Sequence, residues 1–241
     1  LEDEVVYCIA PPGHSTRGAD GRARVLKVLK PIYGMAQAGR RWQRTIYPWL
    51  LEQGFTATES DASVFVRRET VSTPAGPRDE TIMLGCYVDD LFCLHSHDDE
   101  HSSYSKFTAA LQDHWDVEDE GEVRDLLNVE IATEKGCVIL RQSGYIDSMV
   151  ASYLPNGVGR SRRTPAGAEL AKHVDIAVAA RIDPDPELLT RYQSIVGALN
   201  YCATHTRPDI AYSVGRLSRA MAFPTPELME DAERVLSYLH R

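Results

Sequence analysis

Two adjacent aspartates, Asp89 and Asp90, stand between apolar runs, 81–87 before them and 91–95 after. Neighbouring residues of a regular strand point to opposite faces. At a hairpin turn they need not, and both carboxylates can approach one point. Two carboxylates brought that close repel, so one stays protonated unless a cation lies between them. Mg²⁺ suits such a pair, because it takes oxygen ligands, draws few of them from protein and leaves room for substrate phosphates. Two such ions about 3.5–4 Å apart can clamp an in-line phosphoryl displacement. For the dipeptide alone a polar turn is the simpler explanation, since Asp is common in turns.

The next residues carry a second metal-ligand pattern. His95, His97 and His101, with Asp98, Asp99 and Glu100 among them, come within one residue of H-x-H-x-D-H. In that run, typical of metallo-β-lactamase-type hydrolases, imidazoles bind zinc and a carboxylate reaches a second metal. Here position 100 is Glu and the histidine follows at 101, which redirects the last ligand. A helix start explains the same residues. Ser96 or Asp98 would cap it, and the three acids favour its positive end.

A chain of 241 residues, 43% hydrophobic and 25% charged, makes one large domain or two small ones with ample core. No run of about 18 apolar residues offers a transmembrane helix. The acidic start, Leu1-Glu-Asp-Glu4, lacks Met and does not read as a signal peptide; it reads as a cut through a longer protein. Cys8, Cys86, Cys93, Cys137 and Cys202 include no C-x-x-C, so reduced thiols in an intracellular protein are expected. The net charge of −9 argues against nucleic acid, but its distribution does not. Arg17, Arg22, Arg24, Lys27, Lys30, Arg40, Arg41 and Arg44 face only Asp20 in their stretch, while 113–125 is densely acidic. A basic stripe suits a polyanion more than the overall sum suggests. A solvated face accounts for the stripe equally well.

Positioning those groups requires mixed elements. Residues 4–10 and 25–29 read as short strands. From 36 to 53 the spacing of Ala38, Trp42, Ile46, Trp49 and Leu50 is helical, with Trp42 in the core and Gly54 as the stop. Pro48 should kink or end that helix. A strand at 62–68 and a loop at 70–80 precede the 81–95 hairpin, with Asp89 and Asp90 at its tip. A helix over 98–114 should bury Phe107, Ala110, Leu111 and His114. A second hairpin, 126–132 with 137–141, turns at Glu134-Lys135-Gly136. After a helix over 145–154, the Pro- and Gly-rich stretch 155–186 reads as a linker. Helices over 187–203, 208–222 and 225–240 follow, with Pro208 and Pro226 in first turns. The fold class is therefore α+β, mixed first and all-helical last.

Several ordered blocks resemble one family. Tyr87-Val88-Asp89-Asp90 matches the Y-x-D-D box of reverse transcriptases. The segment from Lys30 through Tyr33, Gly34, Gln37 and Arg40 to Trp42 looks like the "LYGLKQAPRAW" block of copia-type LTR retrotransposon polymerases. Gln53-Gly54-Phe55 with Asp61, Ser63 and Phe65 fits the "GF…D.S.F" that follows. Val138 to Ile146 resembles "I.LSQ..YI". Thr164-Pro165, Tyr192 to Tyr201, Thr206-Arg207-Pro208-Asp209 and Leu217-Ser218 continue the series in order. The resemblance covers nearly the whole chain.

It implies a right-hand polymerase: a fingers remnant over 1–34, a palm over 35–142 with the YVDD and primer-grip hairpins, and a helical thumb or connection over 143–241. By resemblance Asp89 and Asp90 are catalytic and hold Mg²⁺ or Mn²⁺. Tyr87, Val88 and Gln37 lie near the primer end and the incoming nucleotide. Arg40, Arg41 and Arg44 meet template phosphates, and Leu140, Gln142 and Tyr145 fall in the primer grip. Arg207 and Asp209 form a polar anchor around Pro208. The implied partners are an RNA or DNA template with its primer, deoxynucleoside triphosphates, and other parts of a Pol polyprotein, with integrase upstream and RNase H downstream. The implied location is cytoplasmic, in virus-like particles, with the nucleus a further site.

The chain also departs from the family. Such enzymes use a third carboxylate on an upstream strand, expected about ten residues before Leu1 from the motif spacing. Asp3 and Glu4 come too late in the pattern to replace it. Asn128 stands where the family has glycine. The expectation is a polymerase region that does not polymerise alone. Two alternatives stay open: a non-catalytic nucleic-acid-binding remnant, and a zinc-dependent hydrolase on His95, His97 and His101.

Overall fold

The structure, a computed structural model, describes residues 5–14, 17, 18, 20–22, 24–30, 32, 34, 35, 38–159 and 162–240. It divides into two compact units, 1–119 and 120–241, each with its own core. Mixed helix and sheet is the observed class.

The first unit opens with a two-stranded ribbon, β1 (Tyr7–Cys8) with β2 (Leu26–Lys27). Helix α1 (Ala38–Glu52) follows and buries Ile46, Trp49 and Leu50. Pro48 lies inside it on the exposed side and does not end it. A helical proline costs a hydrogen bond and a clash; here the buried face outweighs that cost. Gly54, at φ 83, stops the helix as expected.

A four-stranded antiparallel sheet runs in the order β3 (Thr56–Ala57), β4 (Val64–Thr73), β5 (Gly76–Tyr87), β6 (Asp90–His95). The expected loop at 70–80 is instead a long β4–β5 ribbon that turns at Pro74-Ala75. Gly76 supplies the positive φ, 116°, that closes the turn. Pro77 pairs with Ser72 beyond the span where β6 joins, so its missing N–H breaks no ladder.

Alternation assigns the two faces. Phe65, Ile82 and Leu84 are buried, and Cys86, Leu91 and Cys93 pack beside them against α1 and α2 (Ser103–His114). Phe107 and Leu111 of α2 are buried, whereas His114, expected inside, is exposed and stacks on Trp49 at 5.6 Å. The cap is also corrected. Ser102 accepts from the Ser105 N–H, so neither Ser96 nor Asp98 starts this helix. Trp42 packs on the same core, edge-on to Trp115 at 5.7 Å.

The second unit begins with a three-stranded sheet, β7 (Asp125–Leu126), β8 (Val129–Glu134) and β9 (Cys137–Arg141). Leu127 and Asn128 both adopt positive φ in the first turn. Asn tolerates that region, which answers the substitution for glycine. Helices α3 (Ser143–Tyr153), α4 (Leu170–Ala180), α5 (Pro186–His205), α6 (Ala211–Ser218) and α7 (Pro226–Leu239) share one core. A 3₁₀ turn at Pro208–Ile210 precedes α6. Helix α4 corrects the linker reading of 155–186: Leu170, Val174 and Ala177 are buried from its one face. Arg207 grips Asp209 through two nitrogens at 3.0 and 2.8 Å, and Tyr238 donates to the same carboxylate at 2.8 Å. The expected anchor around Pro208 is thus present.

Candidate active site

The β5–β6 hairpin turns through Val88-Asp89, with Tyr87 paired to Asp90. Asp89 therefore sits in the turn and Asp90 on the first residue of a strand. Register places Tyr87 and Asp90 on the same face as Met83, Gly85, Phe92 and Leu94. That face lies opposite the one packed on α1 and α2, and Met83, Tyr87 and Leu94 stand exposed on it.

Val88 holds φ at 54°. A β-branched residue there is a true outlier, and strain of this kind clusters at functional sites. Both aspartates are exposed, and neither carboxylate takes a hydrogen-bond or ion-pair partner among the described residues. Mg²⁺ needs one or two carboxylates, with water and substrate phosphates completing its shell. Adjacent exposed carboxylates with no protein partner fit that requirement as part of a shell, not as a closed cage. Among the described residues no group of three or more His, Cys, Asp or Glu gathers to hold a metal.

The histidines do not converge. His95 stacks on Tyr104 at 3.9 Å, His97 shares a hydrogen bond with Ser96, and His101 pairs with Glu100 at 3.4 Å. The zinc pattern therefore has no geometry behind it.

Arg40, Arg41 and Arg44 are exposed on α1, away from Ile46, Trp49 and Leu50. Gln37 lies outside the described residues. Leu140, Gln142 and Tyr145 belong to the second unit. Leu140 is 50% exposed at the sheet, and Tyr145 packs edge-on to Tyr201 at 5.3 Å. Gln142 is only 2% exposed, and its Oε1 accepts from Thr206 at 2.7 Å. Its Nε2 has no hydrogen-bond partner among the described residues, and the residue lines an open pocket with Leu140, Arg141 and Arg207.

One ionisable centre escaped the sequence reading. Glu80, 3% exposed, accepts from the Ser103 N–H at 2.7 Å, the Ser103 hydroxyl at 2.8 Å and Arg78 Nε at 2.9 Å. Burial pushes its carboxyl up, but the Ser103 N–H, Arg78 and the Ser103 hydroxyl together hold it below the usual carboxylate range. Arg78 also reaches Asp99 at 2.7 Å. The signal was available, since Glu80 shares the period-two face of Ile82 and Leu84. Near the tip, burial pushes Cys86 up to about 11 and Cys93 up to about 12, so neither is a ready nucleophile.

Residues 1–158 match the model of the reverse transcriptase (RNA-dependent DNA polymerase) family. The chain belongs to that family. It is 32% identical over 99% of its length to the retrovirus-related Pol polyprotein from transposon RE1 of Arabidopsis thaliana. It is 27% identical over 99% of its length to the Pol polyprotein from transposon TNT 1-94 of Nicotiana tabacum. It spans 15% and 17% of those two polyproteins. A putative transposon Ty5-1 protein of Saccharomyces cerevisiae is 31% identical, with 99% of this chain and 71% of that protein aligned. These relatives are of the copia type, as the motif series implied. No solved structure matches. Among the described residues no helix is long and apolar enough to cross a membrane.

Proposed function

We propose that the chain carries the catalytic hairpin of a reverse transcriptase, with Asp89 and Asp90 as ligands for Mg²⁺ or Mn²⁺. The observation that supports this most is the pair of carboxylates, without a partner among the described residues, on an exposed, strained turn. Bound divalent ions supply activation of a primer 3′-OH and neutralise the leaving pyrophosphate. The chain's own part is positioning. Asp90 is fixed by its strand pairing with Tyr87, and Asp89 by the two-residue turn. Tyr87 offers an exposed ring beside them, suited to a base or sugar at the primer end. The open apolar face below gives a heteroduplex room to lie. Arg40, Arg41 and Arg44 supply sequence-independent phosphate contacts. Template, primer, deoxynucleoside triphosphates and neighbouring Pol segments, integrase and RNase H among them, are the proposed partners. Palm, fingers and thumb or connection remain the proposed names for the regions.

The chain alone is proposed to be inactive, because among the described residues no third carboxylate joins the two at the tip. The test is primer extension on an RNA template with Mg²⁺ or Mn²⁺. No extension by the 241-residue chain is expected, with rescue on joining an upstream segment that bears the aspartate strand and fingers. Robust synthesis by the chain alone, lost in Asp89→Asn, would refute the inactivity and keep the polymerase reading. The exposed arginines of α1 also favour a second reading, nucleic-acid binding without catalysis. Salt-dependent primer–template binding that survives Asp89→Asn with Asp90→Asn, and no rescue of extension, would support it.

A further inference from the structure

The β5–β6 hairpin outruns its neighbour in the sheet. Strand β4 begins at Val64, opposite Gly85, while the hairpin continues through Cys86 and Tyr87 to the turn. One bond reaches past that point. The Cys86 N–H donates to the Ser63 carbonyl at 2.9 Å. Among the described residues Ser63 is thus the last of the adjoining chain to hold the hairpin before the aspartates. Ser63 is itself tied from two other directions. Its N–H donates to Asp61 Oδ1 at 2.7 Å, and its hydroxyl accepts from the Tyr47 hydroxyl of α1 at 3.1 Å. Asp61 is fixed in turn. Its carbonyl accepts from Thr58 Oγ1 at 2.8 Å and from the Val64 N–H at 3.1 Å, and its N–H donates back to Thr58 Oγ1 at 3.2 Å. Tyr47 is wedged edge-on against the buried Phe65 at 4.9 Å. A chain of direct bonds therefore runs from the core helix to the base of the catalytic turn.

We propose that Ser63, held by Asp61 and Tyr47, is a positioning residue that sets the direction of the Asp89–Asp90 tip. A two-stranded projection has little stability of its own. Its tilt is governed by whatever grips its base. Metal chemistry is intolerant of a misplacement of about 1 Å, so a bonded base is a functional requirement. The functional half of this inference rests on the proposed metal role of Asp89 and Asp90; the mechanical half does not.

The experiment uses the full chain and two readouts. Amide exchange by NMR follows Cys86, Tyr87 and Val88 at the tip, with Ile82 and Leu84 as the reference within the same strand. Mn²⁺ titration by electron paramagnetic resonance follows the ion. Tyr47→Phe and Ser63→Ala are expected to speed exchange at the tip about fivefold, the order set by one lost hydrogen bond, and to weaken Mn²⁺ binding to a similar degree. Exchange at Ile82 and Leu84 should stay within about twofold. Ser63→Thr, which keeps the hydroxyl, should restore both. Unchanged tip exchange, or exchange that rises equally at Ile82 and Leu84, would overturn the proposal, because a merely structural contact loosens the whole strand. Tyr47→Phe removes a single oxygen and keeps the ring, so it carries the test if Ser63→Ala does not fold. Mn²⁺ binding indifferent to Asp89→Asn would count against the metal reading alone, and the exchange data would still decide the positioning.

Discussion

Strand β5 carries an acid near one end and delivers the chain to a pair of acids at the other, and the two settings are opposites. Glu80 is buried and takes bonds from Ser103 and Arg78. Asp89 and Asp90 are exposed, with no side-chain partner among the described residues. A buried carboxylate survives only if its lone pairs are used. Glu80 meets that condition by sitting at the N-terminal end of α2, where the helix's free N–H groups and dipole favour an anion. The tip acids meet no such condition, because water serves them. The contrast separates an acid that holds two elements together from acids that no described side chain holds. Charge and residue type are nearly the same in both places; burial and bonding make the difference.

The largest test of the contrast is stability. Trp42, Trp49 and Trp115, all the tryptophans of the chain, lie in the first unit, so urea unfolding followed by tryptophan fluorescence reports that unit alone. Glu80→Ala should cost about 3 kcal/mol, since it leaves buried donors without a charged acceptor. Asp89→Ala should change stability by no more than about 0.5 kcal/mol, as exposed substitutions do. Equal losses in the two variants would erase the distinction.

Acid provides the next test. The Glu80 carboxyl is held below its ordinary value, so its contribution is complete above the unfolded carboxyl range of about 4.3 and is lost as pH falls through the lower folded value. Asp99, held low chiefly by its hydrogen bond to Arg78, works in the same direction. The urea midpoint of the first unit should therefore fall between about pH 5 and pH 3. In Glu80→Gln that fall should be shallower. An acid limb of unchanged slope in Glu80→Gln would mean that Glu80 is not the acid-sensitive strut.

Much of this frame was legible before any coordinates. The Y-x-D-D box, the two hairpins and the first-turn prolines of the last helices rest on local patterns, and local patterns survive folding. The failures share a cause in tertiary context. Helix α4 hides inside a stretch punctuated by Pro155, Gly157, Pro165 and Pro184, and only its i, i+4, i+7 face of Leu170, Val174 and Ala177 betrays it. The β4–β5 ribbon was masked by two prolines that fall where no neighbour needs their N–H. The bond from Thr206 to Gln142 spans 64 residues of sequence, and no local pattern announces such a bond. Of the candidate site, the acids were legible from type and spacing. The bonds of Ser63 to Cys86 and Tyr47 at the hairpin base were not, although Ser63 stood within a matched motif.

The smallest expected effect bears on the tip itself. Val88 sits 54% exposed at φ 54, so it pays for a left-handed backbone without burying its side chain in return. That conformation costs a non-glycine residue about 1–2 kcal/mol. Glycine adopts it freely but brings about 0.5–1 kcal/mol of extra unfolded-state entropy. The difference leaves Val88→Gly neutral to about 1.5 kcal/mol more stable by the tryptophan-reported urea midpoint. At the Glu80 end, by contrast, any truncation is destabilising, because bonds are lost and no strain is released. A clear loss of stability in Val88→Gly would show that the valine side chain is bonded into the fold after all. The tip would then be a packed structural turn like the ribbon end, and its carboxylates would lose their claim to be the part of the hairpin kept for chemistry.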